Sequence, residues 1–209
     1  MRILKYFLII IVPILIILGN FRYLVFNYDF YENLYQKSGV YQEFDKTNTR
    51  QITYDLFRFF RGKNQLDHNF FSNQAILHLT DVKKTLTMTF YLFYLSLVTT
   101  VIISVFLIAK KYYGDLNSAL FISSVITIFF IIFLSMGFFQ FDLFFKGIHK
   151  VLFTNNLWLF PPDDTLIKLF PQEFFIEFAN RLAFNIILTS LVLLLLSIVI
   201  LKIKKLRFD

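Results

Sequence analysis

The sequence predicts an all-α membrane protein with four transmembrane helices and two extracytoplasmic loops carrying interfacial helices, one integral membrane domain over residues 1–209. Three observations predict it. Of 209 residues, 57% are hydrophobic and 20% aromatic, more apolar surface than a soluble domain of this size can hide. Four stretches, at 6–26, 86–109, 119–139 and 182–201, are long enough to cross a hydrocarbon core of about 30 Å. Lysine and arginine gather in three short segments, which fixes an orientation.

The first stretch follows Met1–Lys5 and reads superficially as a secretory signal. Cleavage needs small residues after the apolar run, and the first alanine of the chain is Ala75, so the segment is expected to stay as a span. Pro13 lies inside it, where neighbouring helices can satisfy the freed carbonyl. Arg2 and Lys5 precede the first span, Lys110 and Lys111 follow the second, and Lys202, Lys204, Lys205 and Arg207 follow the fourth. The positive-inside bias places these segments and both termini in the cytoplasm, so loops 27–84 and 140–181 face outward. The net charge of +7 suits anionic membrane lipids as partners, and nothing calls for nucleic acid.

Within the first outer loop, residues 28–41 are aromatic and polar with no clear period. From Asn48, an N-cap candidate, Ile52, Leu56, Phe59 and Phe60 recur at helical spacing, and Gly62 is a stop. Residues 64–71 read as a turn, in which His68 is an exposed histidine needing no role. Ser72 then caps a helix running through Ala75, Ile76 and Leu79 into the second span, with His78 riding on it. Asp81 lies three residues on, on the same face. Its carboxylate either fixes the tautomer of His78, as the third member of a triad does, or forms a surface pair.

The second outer loop opens with Phe141, Phe144, Phe145, Ile148 and Leu152 on one helical stripe and Asp142, Lys146, His149 and Lys150 on the other. That is an amphipathic helix suited to the headgroup level, with His149 turned to water or to the other loop. Trp158, the only tryptophan, favours the interface. Asp163 or Asp164 caps a short helix, and Pro171 opens another that leads into the fourth span.

Several classes are excluded. The second and third spans hold no ionisable residue and the fourth only Asn185, Thr189 and Ser190 as polar groups, which disfavours transport. There is no cysteine, so thiol nucleophiles, thiolate metal sites and disulfides are ruled out. Gly-rich phosphate loops, HExxH and GxSxG are missing from the sequence. No cofactor is expected, and the histidines show no metal-ligand spacing. What remains is a pair of imidazoles, the side chains that titrate nearest neutrality, in two loops on one face of a membrane.

Two segments add a resemblance. His78-Leu79-Thr80-Asp81-Val82-Lys83, just before the second span, resembles a signature of the lipoprotein intramolecular transacylase (Lit) family. So does His149 followed by Asn156-Leu157-Trp158, Asp164-Thr165-Leu166-Ile167 and Pro171-Gln172-Glu173-Phe174-Phe175. The chain departs from that pattern at Asn73, Gln74 and Ala75, where an acidic residue is expected, and at Ile148, where phenylalanine is common. The resemblance implies an enzyme acting on a diacylglyceryl-modified lipoprotein, moving one acyl chain to the N-terminal cysteine amine to give the lyso form. For that chemistry the expected assignment is His149 as general base and His78 as proton donor or oxyanion stabiliser, oriented by Asp81, with the reverse order and a histidine-acyl intermediate as alternatives. Lys83, Trp158, Asn156 and Asp164 become substrate-binding candidates. The alternatives are an outer-leaflet lipid esterase or acyltransferase using the same pair, and a non-catalytic membrane scaffold.

Overall fold

A computed structural model describes residues 2–206, with the side chains at 138, 139 and 201–206 outside the described set. The basic side chains expected after the fourth span, from Lys202 to Arg207, therefore lie outside the described residues. In order, the helices are α1 (Arg2–Val25), α2 (Tyr28–Lys37), α3 (Val40–Glu43), α4 (Lys46–Phe60), α5 (Asn73–Ala109) and α6 (Tyr113–Met136). A 3₁₀ turn (Gly137–Gln140) leads to α7 (Phe141–Leu152), α8 (Thr165–Leu169) and α9 (Gln172–Leu206). No strand occurs among the described residues. Among the described residues, α1, α5, α6 and α9 are the four helices long and apolar enough to span a membrane.

The chain divides into two compact units, one of residues 1–22, 89–136 and 181–209 and the other of residues 23–88 and 137–180. The first holds the spanning segments. Leu8, Val12, Ile16, Ile103, Leu107, Ala119, Ile131 and Ile186 form its core, while Phe129, Phe133, Tyr91 and Leu95 are exposed, as lipid-facing side chains should be. Between apolar helices in lipid, hydroxyls and amides act as glue. Asn117 Nδ2 donates to the Ser197 carbonyl at 3.1 Å, and Asn20 Nδ2 to Thr189 Oγ1 at 3.3 Å. Pro13 has no N–H to offer the carbonyl four residues back, that of Ile9. The Ser123 hydroxyl of α6 points there, 3.4 Å from the Ile9 oxygen and 3.3 Å from that of Leu8.

The second unit is helical with an aromatic core. Residues 28–41, which show no clear period in the sequence, form α2 and α3. The reason is that Tyr31, Leu34 and Tyr35 repeat at three and four residues and are all buried. Tyr35 is fully buried, its hydroxyl 3.0 Å from Thr53 Oγ1 on α4. Tyr31 meets the rings of Phe57, Phe170 and Phe174 edge-on, the preferred geometry for ring quadrupoles. α4 starts earlier than expected: Asp45, not Asn48, is the N-cap, its carboxylate accepting from the Asn48 N–H. Ser72 does cap α5, its Oγ accepting from the Ala75 N–H at 3.1 Å.

Candidate active site

The two histidines come together in the second unit. His78 lies near the start of α5, ahead of the apolar stretch that begins at 86, and His149 lies in the last turn of α7. Their ring centroids are 6.1 Å apart with planes inclined by 27°. Aromatic side chains enclose both. Phe153 and Phe160 meet His78 edge-on at 5.1 and 5.6 Å. Phe145 lies 4.1 Å from His149, and Trp158 5.0 Å. The polar stripe expected of His149 is thus incomplete. Its ring turns in among Phe145, Phe153 and Trp158, leaving Leu143, Ile148, Val151 and Leu152 as the exposed apolar residues of α7.

The surroundings set the protonation of each ring. His149 Nδ1 is 2.8 Å from the Phe145 carbonyl, one helical turn back. A carbonyl oxygen only accepts, so Nδ1 carries the proton and Nε2 keeps its lone pair. Burial lowers the pKa of His149, against the Phe145 bond, which favours the charged ring. His78 is pushed down to about 4, first by burial and then by His149, with Asp81 opposing. Both rings are therefore neutral at pH 7, and His149 is the one with a fixed acceptor ready to support a positive charge. His78 Nδ1 is buried without a hydrogen-bond partner, which leaves Nε2 as its reachable nitrogen.

The side-chain hydrogen bonds of Asp81 go elsewhere than to His78. One carboxylate oxygen accepts from Lys84 Nζ at 2.9 Å and the other from Asn155 Nδ2 at 2.9 Å. The Lys84 ammonium and then the Asn155 amide hold its carboxyl below the usual range. An ammonium and an amide outcompete a neutral imidazole as partners for a carboxylate. Asp81 instead fastens the loop after α7. Asn155 Oδ1 accepts from the Leu157 N–H at 3.0 Å, and the Asn155 carbonyl accepts from Trp158 Nε1 at 3.0 Å. A chain of contacts thus runs from Asp81 through Asn155 and Trp158 to the face of His149.

The remaining candidates separate. Trp158 is buried against His149. Lys83 places its ammonium 4.4 Å from the centroid of Phe59 on α4, a cation–π contact. Asn156 is exposed, and its backbone carbonyl takes the Leu159 N–H. Asp164 is committed to structure, one oxygen capping α8 at the Leu166 N–H (2.8 Å) and the other accepting from Ser72 Oγ (2.8 Å). Asn155, Phe145, Phe153 and Phe160 escaped the sequence reading because their roles depend on partners in other segments or on a backbone oxygen. Gln74 also escaped. Its Nε2 donates to the carbonyls of Leu157 and Leu159 at 3.0 and 2.9 Å. A carboxylate at this position has no proton to donate to either carbonyl.

The family model described as lipoprotein intramolecular transacylase Lit matches residues 6–175. Three solved structures of Lit from Bacillus cereus, a membrane-integral lipoprotein intramolecular transacylase, are similar in fold. The first has a TM-score of 0.87 at 23% identity, covering 100% of this chain and 98% of that one. The second, in which a histidine is replaced by arginine, gives 0.84 at 22% identity over 99% of this chain and 94% of that one. The third, with a histidine replaced by alanine, gives 0.83 at 22% identity over 98% and 95%. No curated protein matches.

Proposed function

Because the chain belongs to the lipoprotein intramolecular transacylase Lit family, we propose that its two histidines carry out acyl transfer within a lipoprotein, His149 as general base and His78 as oxyanion donor. The protein is a multi-pass membrane enzyme, and its reaction is intramolecular acyl transfer in lipoprotein maturation. The observation that carries the assignment is the His149 Nδ1 bond to the Phe145 carbonyl, beside a second ring 6.1 Å away.

The proposed substrate is a lipoprotein whose N-terminal cysteine bears a diacylglyceryl thioether and a free amine. An α-ammonium of pKa about 8 gives up a proton, and the neutral nitrogen attacks the ester carbonyl. His149 Nε2 removes the second proton as the C–N bond forms. The imidazolium so formed keeps its Nδ1–H on Phe145. His78, neutral and desolvated, donates Nε2–H to the oxyanion, a role that needs an N–H and not a charge. The C–O bond then breaks, and His149 returns its proton to the departing glyceryl oxygen. Ester and amine become alcohol and amide with no change in mass. A second imidazolium beside the first would be repelled, so the pair takes up one extra proton at a time.

Amine and ester belong to one molecule, so orientation supplies much of the rate and no covalent enzyme intermediate is required. The aromatic walls exclude water, which would otherwise hydrolyse the ester. Asp81 and Asn155 are positioning residues, acting through Trp158. Trp158 is proposed to contact an acyl chain as well as to back His149, and Lys83, Asn156 and Asp164 to line the path of the substrate. The active site is proposed to face outward with both termini cytoplasmic, supported by the lysines and arginines of the short segments.

Mass spectrometry of the N-terminal lipopeptide of a reporter lipoprotein, in a host that leaves its amine free, tests the assignment. The expected result is an acyl group moved from glycerol to nitrogen at unchanged mass, lost in His78→Asn and His149→Asn. Released fatty acid would favour the esterase reading. Full transfer by well-expressed variants would remove the histidines from the mechanism.

A further inference from the structure

The end of α4 carries cations that the histidine site does not use. Gly62 adopts φ +75°, the left-handed conformation in which glycine carries no Cβ penalty. It closes the helix with the Gly62 N–H on the Phe59 carbonyl and the Lys63 N–H on the Arg58 carbonyl, both at 2.9 Å, a Schellman closure. That closure folds the chain back and brings Arg58, Arg61 and Lys63 to one groove of about 490 Å³. Phe26, Tyr28 and Tyr54 wall it, and no carboxylate lines it.

Two guanidinium groups rest on aromatic rings, Arg61 at 4.5 Å from the centroid of Phe26 and Arg58 at 5.8 Å from that of Tyr54. Stacking holds their planes while leaving N–H donors free. Among the described residues, none of the three cations makes an ion pair or a side-chain hydrogen bond. The carbonyls of Phe57, Arg58 and Phe59 are taken by backbone N–H groups of the closure and do not call on these cations as caps. Three unpaired positive charges around one groove call for an anion. Phe26 follows the last residue of α1 directly, so this wall stands where the first span ends, at headgroup depth.

We propose that this groove binds the phosphate of an anionic phospholipid headgroup, with Arg58 and Arg61 as forked donors, Lys63 as a point charge and the aromatic walls against the glycerol. Guanidinium forks match phosphate oxygens in pairs, and Tyr54 is exposed to meet the lipid.

Native mass spectrometry of the full chain released from detergent, titrated with phosphatidylglycerol or with diacylglycerol, tests this. Wild type should retain one phosphatidylglycerol and no diacylglycerol. The variant R58Q/R61Q/K63Q should retain it roughly a hundredfold more weakly, while K110Q/K111Q, which loses two charges at another site, should match wild type. Equal retention by wild type and the triple variant overturns the proposal, as does equal retention of diacylglycerol. Displacement of the lipid by millimolar inorganic phosphate also overturns it, because the site would then serve a free anion. Should the triple variant fail to fold, the single exposed substitution Lys63→Glu carries the same expectation of weakened retention and the same overturning result.

Discussion

Replacing Asp81 by asparagine separates two roles that the same residue could play. In a serine-protease triad, the corresponding change costs about 10⁴ in rate, because the imidazole loses its tautomer. Here Asp81 bonds to Lys84 and Asn155 and not to His78, so a different result is expected. The Lys84 side chain is 72% exposed and that of Asp81 23%, and such a pair contributes about 0–1 kcal/mol. An asparagine carbonyl can still accept from the Asn155 amide, and making that bond neutral costs about 1 kcal/mol. Asp81→Asn should therefore lose about 1–2 kcal/mol of stability and keep kcat within about threefold of wild type. Asp81→Ala leaves Asn155 without its acceptor, loosens Trp158 behind His149, and should lower kcat about tenfold with little change in KM. The assay is turnover of a synthetic diacylglyceryl lipopeptide in nanodiscs, with N-acyl and O-acyl isomers resolved by chromatography and mass spectrometry. An Asp81→Asn variant as inactive as His149→Asn, at undiminished stability, would refute the reasoning and return Asp81 to His78.

Other perturbations follow from the same geometry. His78 falls from 6.5 to about 4 on folding, so the unfolded chain binds the extra proton first and stability drops as pH falls through that window. At pH 5 the loss is about 2 kcal/mol, read as a lower Tm than at pH 7 and largely removed in His78→Phe. Trp158→Phe keeps a ring against His149 but forfeits the Nε1 bond to the Asn155 carbonyl. It should cost about 1 kcal/mol and lower kcat less than Trp158→Ala does, as a lipopeptide turnover assay would show. Ser123→Ala leaves the Ile9 carbonyl behind Pro13 without its hydroxyl, and should cost about 1 kcal/mol in a denaturation assay in detergent.

The spans were legible because length and apolarity alone decide them, and the two histidines drew notice because histidines are few and both fall outside the apolar stretches. Ser72, Asp164 and Pro171 were readable as helix-start signals, since capping is a local matter. Residues 28–41 were not, because their buried stripe is made of tyrosines, which are polar enough to blur the period. The partner of Asp81 was out of reach for another reason: Asn155 is 74 residues away in sequence, and an adjacent histidine was the nearer explanation. Of the two orientations expected of His149, toward water or toward the other loop, the structure shows the second, and the aromatic rings around it were not legible because a histidine counts as polar on a helical stripe.

The oxygen that fixes the tautomer of His149 belongs to the backbone of residue 145. Every amino acid supplies that atom, so side-chain scanning at this position would report on the ring of Phe145 and be blind to the carbonyl beneath it. Evolution is free to exchange the side chain without touching the tautomer, as long as the helical register of α7 is kept. What would damage it is a change of phase: a one-residue insertion or deletion between 145 and 149, or an ester in place of the 145–146 amide, which weakens the carbonyl as an acceptor. Backbone editing of this kind, and not a substitution library, is the means of reaching the group that fixes the tautomer of His149.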